Sequence, residues 1–426
     1  MGKIETDHTG SGGGITLSSD GTSLLLDGTA IGGSPDLYAE NYDGTSTLPS
    51  ATGTNAVAIG KSAVASGSSG FASGNGATAS GANSVALGRA NTASGSNSFA
   101  FGFSNTASAT YSVAIHGNAT ADETTAIGRN SSGQPANAVT GQGAMALGGS
   151  YASGADSFAA AIANNTSSYG ATGSNSVAMV RNSKASGSDS LAFGRTSQAT
   201  TSYAVAMGYN CLSAASYAVA LGYQAQATGN NAFAAGASST YQERANATAS
   251  GAVALGGAYA NGTDSVAIGA SAKSTEIGKI SFSNDKFSAV GDSQGGLFIL
   301  RADTTGATAE ALTTNNSTAG TTNQVVLPNN SVYGFTGTIT ARENSAATND
   351  FAIWEVKGGA VRGSSASTTA LGSYNINTIS ESTGAANWSI AISADTTNGA
   401  IAFTVTGEAV HQIRWVATIN TTEVIY

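Results

Sequence analysis

The chain has few charged side chains. Lys, Arg, Asp and Glu make up 10% of its 426 residues, whereas ordinary globular domains contain about 25%. Disordered chains combine low hydrophobicity with high net charge, but hydrophobic residues still make up 41% here and glycine contributes 56 residues. The composition excludes a disordered chain and is typical of a β-repeat protein with small residues at its corners.

Cysteine and histidine are also scarce, which limits the chemistry available. Cys211 is the single cysteine, so no intrachain disulfide can form. The three histidines are isolated in the sequence and do not form a Cys/His cluster of the kind that binds zinc. We therefore predict no metal site and no cofactor.

Catalytic motifs are few and lack their structural context. Gly291–Gly295 matches the G-x-S-x-G pattern, which requires a helix after the serine, but Leu297–Leu300 has the pattern of a strand. A sugar-cleaving site needs two carboxylates about 5 to 9.5 Å apart. The adjacent acids Asp122 and Glu123 would face opposite sides of a strand. We predict that the protein is not an enzyme.

Long apolar runs and basic clusters are missing as well. The longest apolar run near the N-terminus is Leu24–Leu26, so we expect no signal peptide, and no stretch is long enough for a membrane-spanning helix. Residues 1–56 hold seven acids and one lysine, residues 57–275 six acids and eight bases, and residues 276–426 twelve acids and seven bases. Without a basic stripe, we predict no nucleic-acid partner and no membrane insertion.

What is present is a repeat. The phrase Val57-Ala58-Ile59-Gly60 recurs, usually with a step of 14 residues, and the second position of every copy is alanine. Self-similarity at a fixed period indicates a solenoid. The copies begin at Val57, Phe71, Val85, Phe99, Val113, Thr125, Met145, Phe158, Val177, Leu191, Val205, Val219, Phe233, Val253 and Val266.

Fourteen residues are also two heptads, but the glycines of each repeat exclude a coiled coil, since each mid-helix glycine costs about 1 kcal/mol against alanine. At the strand period of two, Val57 and Ile59 share one face and Ala58 lies on the other. We expect the second half of the coil, residues 62–67, to cover one apolar face. A symmetry mate would then have to cover the alanine face, which predicts an oligomer.

The repeat resembles the YadA-like head of trimeric autotransporter adhesins. The resemblance covers roughly residues 55–275 and implies a left-handed parallel β-roll with one coil per repeat and three chains side by side. The phrases that carry it are Asn83–Gly88, Asn175–Met179 and Asp264–Gly269, with the Ala-x-Ala-x-Gly that follows.

From about residue 276 the repeat stops and short strand patterns follow one another between turn signals such as Asn398-Gly399. This pattern predicts an antiparallel β-sandwich of the jelly-roll type or similar to it. The segment resembles the terminal domain of phage fibre and virion proteins through Leu327–Ser331, Ser393–Gly399 and Ile413–Thr418. The fold class is therefore predicted as all-β, a left-handed trimeric β-roll followed by a β-sandwich.

Three domains are expected. Residues 1–55 would form an N-terminal segment for virion attachment or trimerisation, with a disordered leader as the alternative. Residues 56–275 would form the β-roll shaft, and residues 276–426 a C-terminal sandwich at the receptor-binding tip. Insertions near Gly133–Asn137 and Tyr241–Asn246 lengthen the step and should loop out of the roll.

Aromatic residues are the candidate receptor contacts. Tyrosines at the 14-residue step should form ladders, Tyr203 with Tyr217 and Tyr209 with Tyr223, which could stack on sugars or, alternatively, pack between coils or chains. With two tryptophans of the C-terminal region, the candidate contacts are Trp354, Trp388, Tyr203, Tyr217, Tyr209 and Tyr223.

Two functional classes follow from these features. The first is a phage tail or capsid fibre: a homotrimer that docks on virion proteins through its N-terminus, assembles in the host cytoplasm and binds a host surface glycan or outer-membrane receptor. The alternative is the head of a bacterial surface adhesin. The expected absence of a signal peptide, a coiled-coil stalk and an anchor favours the fibre.

Overall fold

The computed structural model describes residues 47–129, 135–160, 168–237, 244–344 and 349–426, together with three short strands between residues 17 and 31. The chain divides into two compact units, residues 1–175 and 176–426, and each is described by itself. Apart from two 3-10 helices (Ala366–Thr368 and Thr383–Ala385), the regular structure of the described residues is β.

The first unit begins with a small antiparallel sheet of β1 (Leu17–Ser19), β2 (Leu24–Leu26) and β3 (Thr29–Ile31). A parallel roll follows, in which strands of two sheets alternate along the chain. The front sheet contains β5 (Val57–Ile59), β7 (Phe71–Ser73), β9 (Val85–Arg89), β11 (Phe99–Phe103), β13 (Val113–Ile115), β15 (Thr125–Ile127), β17 (Met145–Leu147) and β19 (Phe158–Ala160). The back sheet contains β4 (Ser50–Ala51), β6 (Val64–Ala65), β8 (Thr78–Ala79), β10 (Thr92–Ala93), β12 (Thr106–Ala107), β14 (Gly117–Ala119), β16 (Ala136–Ala138), β18 (Tyr151–Ala152) and β20 (Gly170–Ala171).

Equivalent positions of successive repeats pair directly in this roll. Val85 pairs with Phe99, and Phe99 pairs with Val113, all in parallel register. The back sheet repeats the same pattern, with Thr92 beside Thr106. One repeat of about 14 residues therefore makes one coil with one front strand and one back strand, as the period predicts.

The interior of the roll is made of small side chains, and this corrects one expectation. Ala86 of β9 and Ala93 of β10 are fully buried on facing strands, whereas Val85 and Leu87 are only half-buried. The coil thus covers its own alanine face, and the larger apolar face is the one left outside. The face assignment made from the sequence was wrong because a coil of 14 residues brings its two sheets too close for any side chain much larger than alanine.

Two kinds of glycine permit the coils to stack. Gly88, the fourth residue of its phrase, has a φ of 102°, a backbone conformation that side chains rarely adopt. Gly67 lies against the next coil so closely that a Cβ there would be 2.0 Å from the carbonyl oxygen of Gly81. The recurring glycines are therefore required by backbone conformation in one case and by coil spacing in the other.

The second unit continues the same alternation of front and back strands. Its front sheet contains β21 (Val177–Met179), β23 (Leu191–Phe193), β25 (Val205–Tyr209), β27 (Val219–Tyr223), β29 (Phe233–Ala237), β31 (Val253–Leu255), β33 (Val266–Ile268) and β35 (Ile280–Phe282). Its back sheet contains β22 (Lys184–Ala185), β24 (Gln198–Ala199), β26 (Leu212–Ser213), β28 (Gln226–Ala227), β30 (Asn246–Ala247), β32 (Tyr259–Ala260) and β34 (Lys273–Ser274).

The insertions do not disturb this register. Thr125 pairs with Met145 and Phe233 pairs with Val253, although each pair is separated by a long step. Residues 133–134 and 241–243 of the two predicted loops lie outside the described residues, as do residues 161–167. Ala136 and Asn137 belong to β16 and Asn246 to β30, so these parts of the predicted loops lie in the back sheet instead.

The second unit ends in two antiparallel sheets. The strands are β36 (Ser293–Thr304), β37 (Ala309–Ala311), β38 (Val325–Val326), β39 (Ser331–Glu343), β40 (Phe351–Arg362), β41 (Ala370–Glu381), β42 (Ser389–Asp395), β43 (Ala400–Thr406) and β44 (Ile413–Ile425). One sheet has the order β36-β44-β39-β40-β41, and β36 also pairs with the last front strand, β35. In the other, β43 pairs with β42, β37 and β38. The all-β prediction, with a parallel solenoid and a C-terminal antiparallel region, is confirmed.

The two antiparallel sheets enclose one hydrophobic core. Strand β44 alternates strictly, with Ile413, Trp415, Ala417 and Ile419 buried and the residues between them exposed. Phe403 of the second sheet packs edge-on against Phe335 of the first, with ring centroids 5.4 Å apart. Burying residues of this size stabilises the domain by about 1.5 to 3 kcal/mol each, which the alanine interior of the roll cannot match.

The interior of the roll should not tolerate a larger side chain. Ala100→Leu places a branched side chain between the sheets, and overpacking of this kind costs about 1 to 3 kcal/mol. The matched control is Ala82→Leu, since Ala82 lies exposed at a corner of the neighbouring coil. Thermal unfolding followed by circular dichroism should show a lower midpoint for Ala100→Leu alone. Equal midpoints for both variants would show that the interior has unused volume.

Candidate functional site

The outward face of the front sheet carries the larger apolar side chains of the roll. In the first unit Phe101 is 44% exposed, and in the second unit Phe193 is 42% exposed. Because equivalent residues pair between neighbouring coils, these side chains lie in rows along the front sheet of each unit. We call this surface the apolar face; its exposed members are Phe101, Phe103, Ile127, Met145, Phe193, Met207, Ile268 and Phe282.

The outward face of the back sheet is mostly polar. The residues that precede its buried alanines are half-buried or exposed, and most are Thr, Asn, Gln or Lys. Each coil therefore presents one apolar and one polar broad face. This polar face contains Thr78, Thr92, Thr106, Asn118, Asn137, Lys184, Gln198, Gln226, Asn246 and Lys273, with Val64, Tyr151, Leu212 and Tyr259 among them.

Tyr203 and Tyr217 form a stacked pair at successive corners of the second unit. Their ring centroids are 4.8 Å apart and the rings are almost parallel, at 4°. Both residues have left-handed backbone angles, with φ of 60° and 59°. The identical corner geometry and the parallel register of the following strands stack the rings. Tyr203 is 49% exposed and Tyr217 is 58% exposed, so this predicted ladder is confirmed and lies at the surface.

Tyr209 and Tyr223 form a second stacked pair at the ends of β25 and β27. Their centroids are 4.9 Å apart at 15°, and the Arg195 guanidinium lies 5.5 Å from the Tyr209 ring centroid. In the first unit Arg89 lies over Phe103 in the same way, at 5.4 Å. The arginines and rings of these cation–π pairs directly follow the repeated four-residue phrase, at the ends of the front-sheet strands whose side chains form the apolar face.

Trp354 and Trp388 belong to the core of the C-terminal domain. Each is only 4% exposed, and both pack on the buried Trp415, at centroid distances of 5.7 and 5.9 Å. A side chain this deeply covered offers no surface to a receptor. Of the six candidate contacts, the two tryptophans are therefore better explained by packing, and only the four tyrosines remain as candidates.

A buried polar cluster, which sequence reasoning missed, joins the last coil of the roll to the C-terminal sheet. The Lys279 ammonium lies 2.9 Å from Glu423 Oε2 and 3.3 Å from Glu276 Oε2. Gln294 Nε2 and Tyr333 Oη donate to the same Glu423 oxygen, at 2.7 and 2.9 Å. All five residues are buried. No local sequence signal identifies the pair of Lys279 and Glu423, because 144 residues separate them.

Electrostatics hold this cluster in its charged form. Burial alone would lower the pKa of the Lys279 ammonium, but the Glu276 and Glu423 carboxylates outweigh burial and raise that pKa above 10.5. Burial raises the pKa of the Tyr333 hydroxyl well above 10.0, and the neighbouring carboxylates raise it further. Tyr333 therefore remains a neutral hydrogen-bond donor to Glu423 at any physiological pH.

The catalytic motif considered from the sequence has no catalytic geometry. Ser293 begins strand β36 rather than a helix, and its hydroxyl donates to the backbone oxygen of Asp285. Asp292 instead accepts hydrogen bonds from the backbone N–H groups of Phe287, Ser288 and Ala289 and so orders a turn.

Two other features are absent from the described residues. These residues contain no group of three or more His, Cys, Asp or Glu residues that could hold a metal ion. None of the described segments forms a helix with the length and hydropathy of a membrane span.

Comparison with known proteins identifies the repeat. The family model of the YadA head domain repeat matches residues 51–77, 65–91, 93–115, 185–210, 214–239 and 260–277. The resemblance drawn from the phrases is thus confirmed, in segments of both units. A YadA head is a non-enzymatic adhesin domain, so these repeats support a trimeric adhesin or fibre protein in general.

Among solved structures, the chain is similar to a tailspike protein of an Acinetobacter phage, at 10% identity and a TM-score of 0.24. The similarity covers 85% of this chain and 74% of the tailspike chain. A search of the curated proteins found no match.

Hydrogen bonds to Asp395 should make stability pH-dependent in the acid range. Partial burial acts to raise the pKa of Asp395, but donors from Gln324, Asn398 and Thr397 outweigh it and hold the pKa below 3.8. The ionised carboxylate therefore stabilises the fold at neutral pH, and this contribution is lost as the pH falls through the unfolded and then the folded pKa. Asp395→Asn should lower the unfolding midpoint at about pH 7 and flatten its fall below about pH 4.

The measurement is a series of thermal unfolding curves across this acid range. Glu310→Gln is the control, since it removes an exposed carboxylate from β37. If Asp395→Asn and the parent chain lost stability in parallel on acidification, Asp395 would not carry this dependence.

Proposed function

We propose that the protein is a homotrimeric fibre that attaches a virion to the surface of its host cell. The observation that carries the proposal is the apolar face, which runs along the front sheet in both units and has no cover within the described chain. Exposed apolar surface of this extent marks an interaction site in soluble proteins. The rows of Val, Leu, Ile, Met and Phe are regular, so a second copy of the same roll is the matching partner.

An assembly of three copies is compatible with the sheet geometry. A front sheet offers one broad apolar face, and three such faces can close around a common axis, so that each copy is equivalent and no apolar edge remains. The YadA-type repeats support the same number, since the family to which they are similar forms trimers. Burial is worth about 25 cal/mol per Å² of apolar surface, and the gain accumulates with every coil added to the roll.

Receptor contact is assigned to the corner pair Tyr203 and Tyr217. The pair lies at a corner rather than on the broad apolar face, and its rings are half-exposed. Aromatic rings with a hydroxyl combine an apolar surface with a polar tip, which suits a surface glycan. Tyr209 follows Met207 on β25 and Tyr223 follows Leu221 on β27, so we place both tyrosines at the contact between copies.

In a trimer, three weak receptor sites would bind together and so raise the overall affinity. Three identical sites on one rod can exceed the affinity of a single site by about 10²- to 10⁴-fold when they bind together. In this arrangement residues 1–55 attach the fibre to tail or capsid proteins, residues 56–275 form the shaft and residues 276–426 form the distal domain.

A bacterial surface adhesin is the second candidate, and the YadA head repeats favour it. The fibre is preferred because β35 passes directly into the antiparallel strand β36, with no helical stalk among the described residues after the roll. Antibodies against the chain distinguish the two: they should label purified virions for a fibre and the outer surface of uninfected cells for an adhesin.

Removing the apolar character of the front sheet should dissociate the protein. In the variant Phe193→Glu with Met207→Glu, two paired apolar residues become charged, and burial of these charges between copies would be strongly unfavourable. Sedimentation of the parent chain should give about three times 41.6 kDa, and the variant should sediment as a monomer. Gln198→Glu with Gln226→Glu adds the same charge on the polar face and should remain trimeric. A monomeric parent chain, soluble and folded, would refute the trimer.

Loss of the corner tyrosines should weaken attachment without affecting assembly. Tyr203→Ala with Tyr217→Ala removes all the exposed rings of the pair, and three sites per trimer are lost together, so binding to host cells should fall by at least about tenfold. Tyr203→Phe with Tyr217→Phe keeps the rings and should retain most binding. The trimer mass, measured in parallel, must be unchanged. Full binding by the alanine variant would place the receptor site elsewhere.

A further inference from the structure

The buried cluster around Lys279 has an unusual charge balance. One ammonium lies between two carboxylates, those of Glu276 and Glu423, and all three groups are almost fully covered. The rings of Phe298 and Tyr333 surround the ammonium, with centroids 5.1 and 5.8 Å from Nζ. The cluster therefore holds one amine group and two carboxyl groups in direct contact and away from bulk water.

We propose that Lys279 and Glu423 condense to form an intramolecular amide bond, with Glu276 transferring the proton. In the resting state the amine is an ammonium ion. The reaction starts from the neutral pair, in which the proton of Nζ has moved to Glu423. The ion pair is the resting form, and the neutral pair is a minor form that the desolvated site makes accessible because it removes two buried charges.

The covalent step balances without any co-reactant. The lone pair of Nζ attacks Cδ of the protonated Glu423 carboxyl group, forming the C–N bond. Glu276 accepts a proton from the nitrogen and delivers it to Glu423 Oε2, whose bond to Cδ breaks. One water molecule leaves. The ammonium and the carboxylate are replaced by one neutral amide, and nothing is oxidised or reduced.

The hydrogen bonds around Glu423 match the needs of this step. Gln294 Nε2 and Tyr333 Oη donate to Oε2, the oxygen that leaves as water. Thr421 Oγ1 lies 2.6 Å from Oε1, the oxygen that becomes the amide carbonyl, and stabilises the negative charge that develops there. Nζ is already 2.9 Å from the oxygen that it replaces. The strands β35, β36 and β44 hold these groups in place, so little movement is required.

The bond would join the end of the roll to the last strand of the C-terminal domain. Residues 279 and 423 are 144 positions apart, and a cross-link that closes so long a loop restricts the unfolded chain strongly. Strand β44 could then no longer be pulled away from the roll. This property suits a fibre that carries mechanical load, although the inference does not depend on the proposed adhesion.

Intact mass tests the proposal on the purified full-length protein. Under denaturing conditions the parent chain should be lighter by one water molecule than its sequence requires, and Lys279→Arg should have the full mass of its own sequence. Tryptic digestion should yield one branched peptide that joins the segments around residues 279 and 423. A parent chain of full mass, folded and with both linear peptides recovered, would overturn the proposal and leave the cluster as an ion pair.

The role of Glu276 is tested separately. Glu276→Gln leaves the contact between Lys279 and Glu423 in place but removes the proton acceptor, so the mass should return to the full value, or approach the reduced value only over a much longer time. Circular dichroism establishes that the variant is folded. If Glu276→Gln condensed as fast as the parent chain, proton transfer by Glu276 would be excluded.

Discussion

The narrow space between the two sheets of each coil governs the rest of the structure. A repeat of about 14 residues forms two short strands and two corners, and the sheets come so close that Ala86 and Ala93 fill the space between them. Valine, leucine and phenylalanine of the same strands must point outward. The roll thus has an interior without large hydrophobic side chains and a front face with many of them. Much of its apolar surface is left without cover by the residues that the structure describes.

This constraint explains both the success and the failure of the sequence-based prediction. Period, strand positions and corner glycines follow from local pattern, because each residue pairs with its own equivalent in the next repeat. The inward face could not be assigned by hydrophobicity, since Val57, Ala58 and Ile59 are all apolar. Side-chain size was the better signal. The second position of every phrase is alanine, whereas the first position is larger in every copy and the third is larger in most of them.

In the C-terminal domain, by contrast, the contacts depend on residues far apart in the sequence rather than on a local pattern. Alternation along β44 could be recognised from its sequence, but the partners of its residues could not. Trp354, Trp388 and Trp415 come from three strand regions and meet in one core. A tryptophan in a short strand is equally compatible with a core and with a binding surface. The contact between Lys279 and Glu423 was still harder to predict, because the two residues come together only when β36 pairs with both β35 and β44.

The roll has one polar and one apolar broad face, and this contrast explains why the chain contains so few charged residues. The back sheet presents Thr92, Thr106 and Gln198, whose uncharged polar groups are compatible with water, while the front sheet presents Phe101 and Phe193. A single chain that exposed both faces would be prone to aggregate through its front sheet, since the apolar rows contain few charged side chains, of which Arg89 at the end of β9 is one. The proposed assembly through that face would remove this hazard and leave the polar face and the corners in contact with water. Folding and assembly should therefore be coupled. The low content of charged residues and the retained content of apolar residues follow from that coupling.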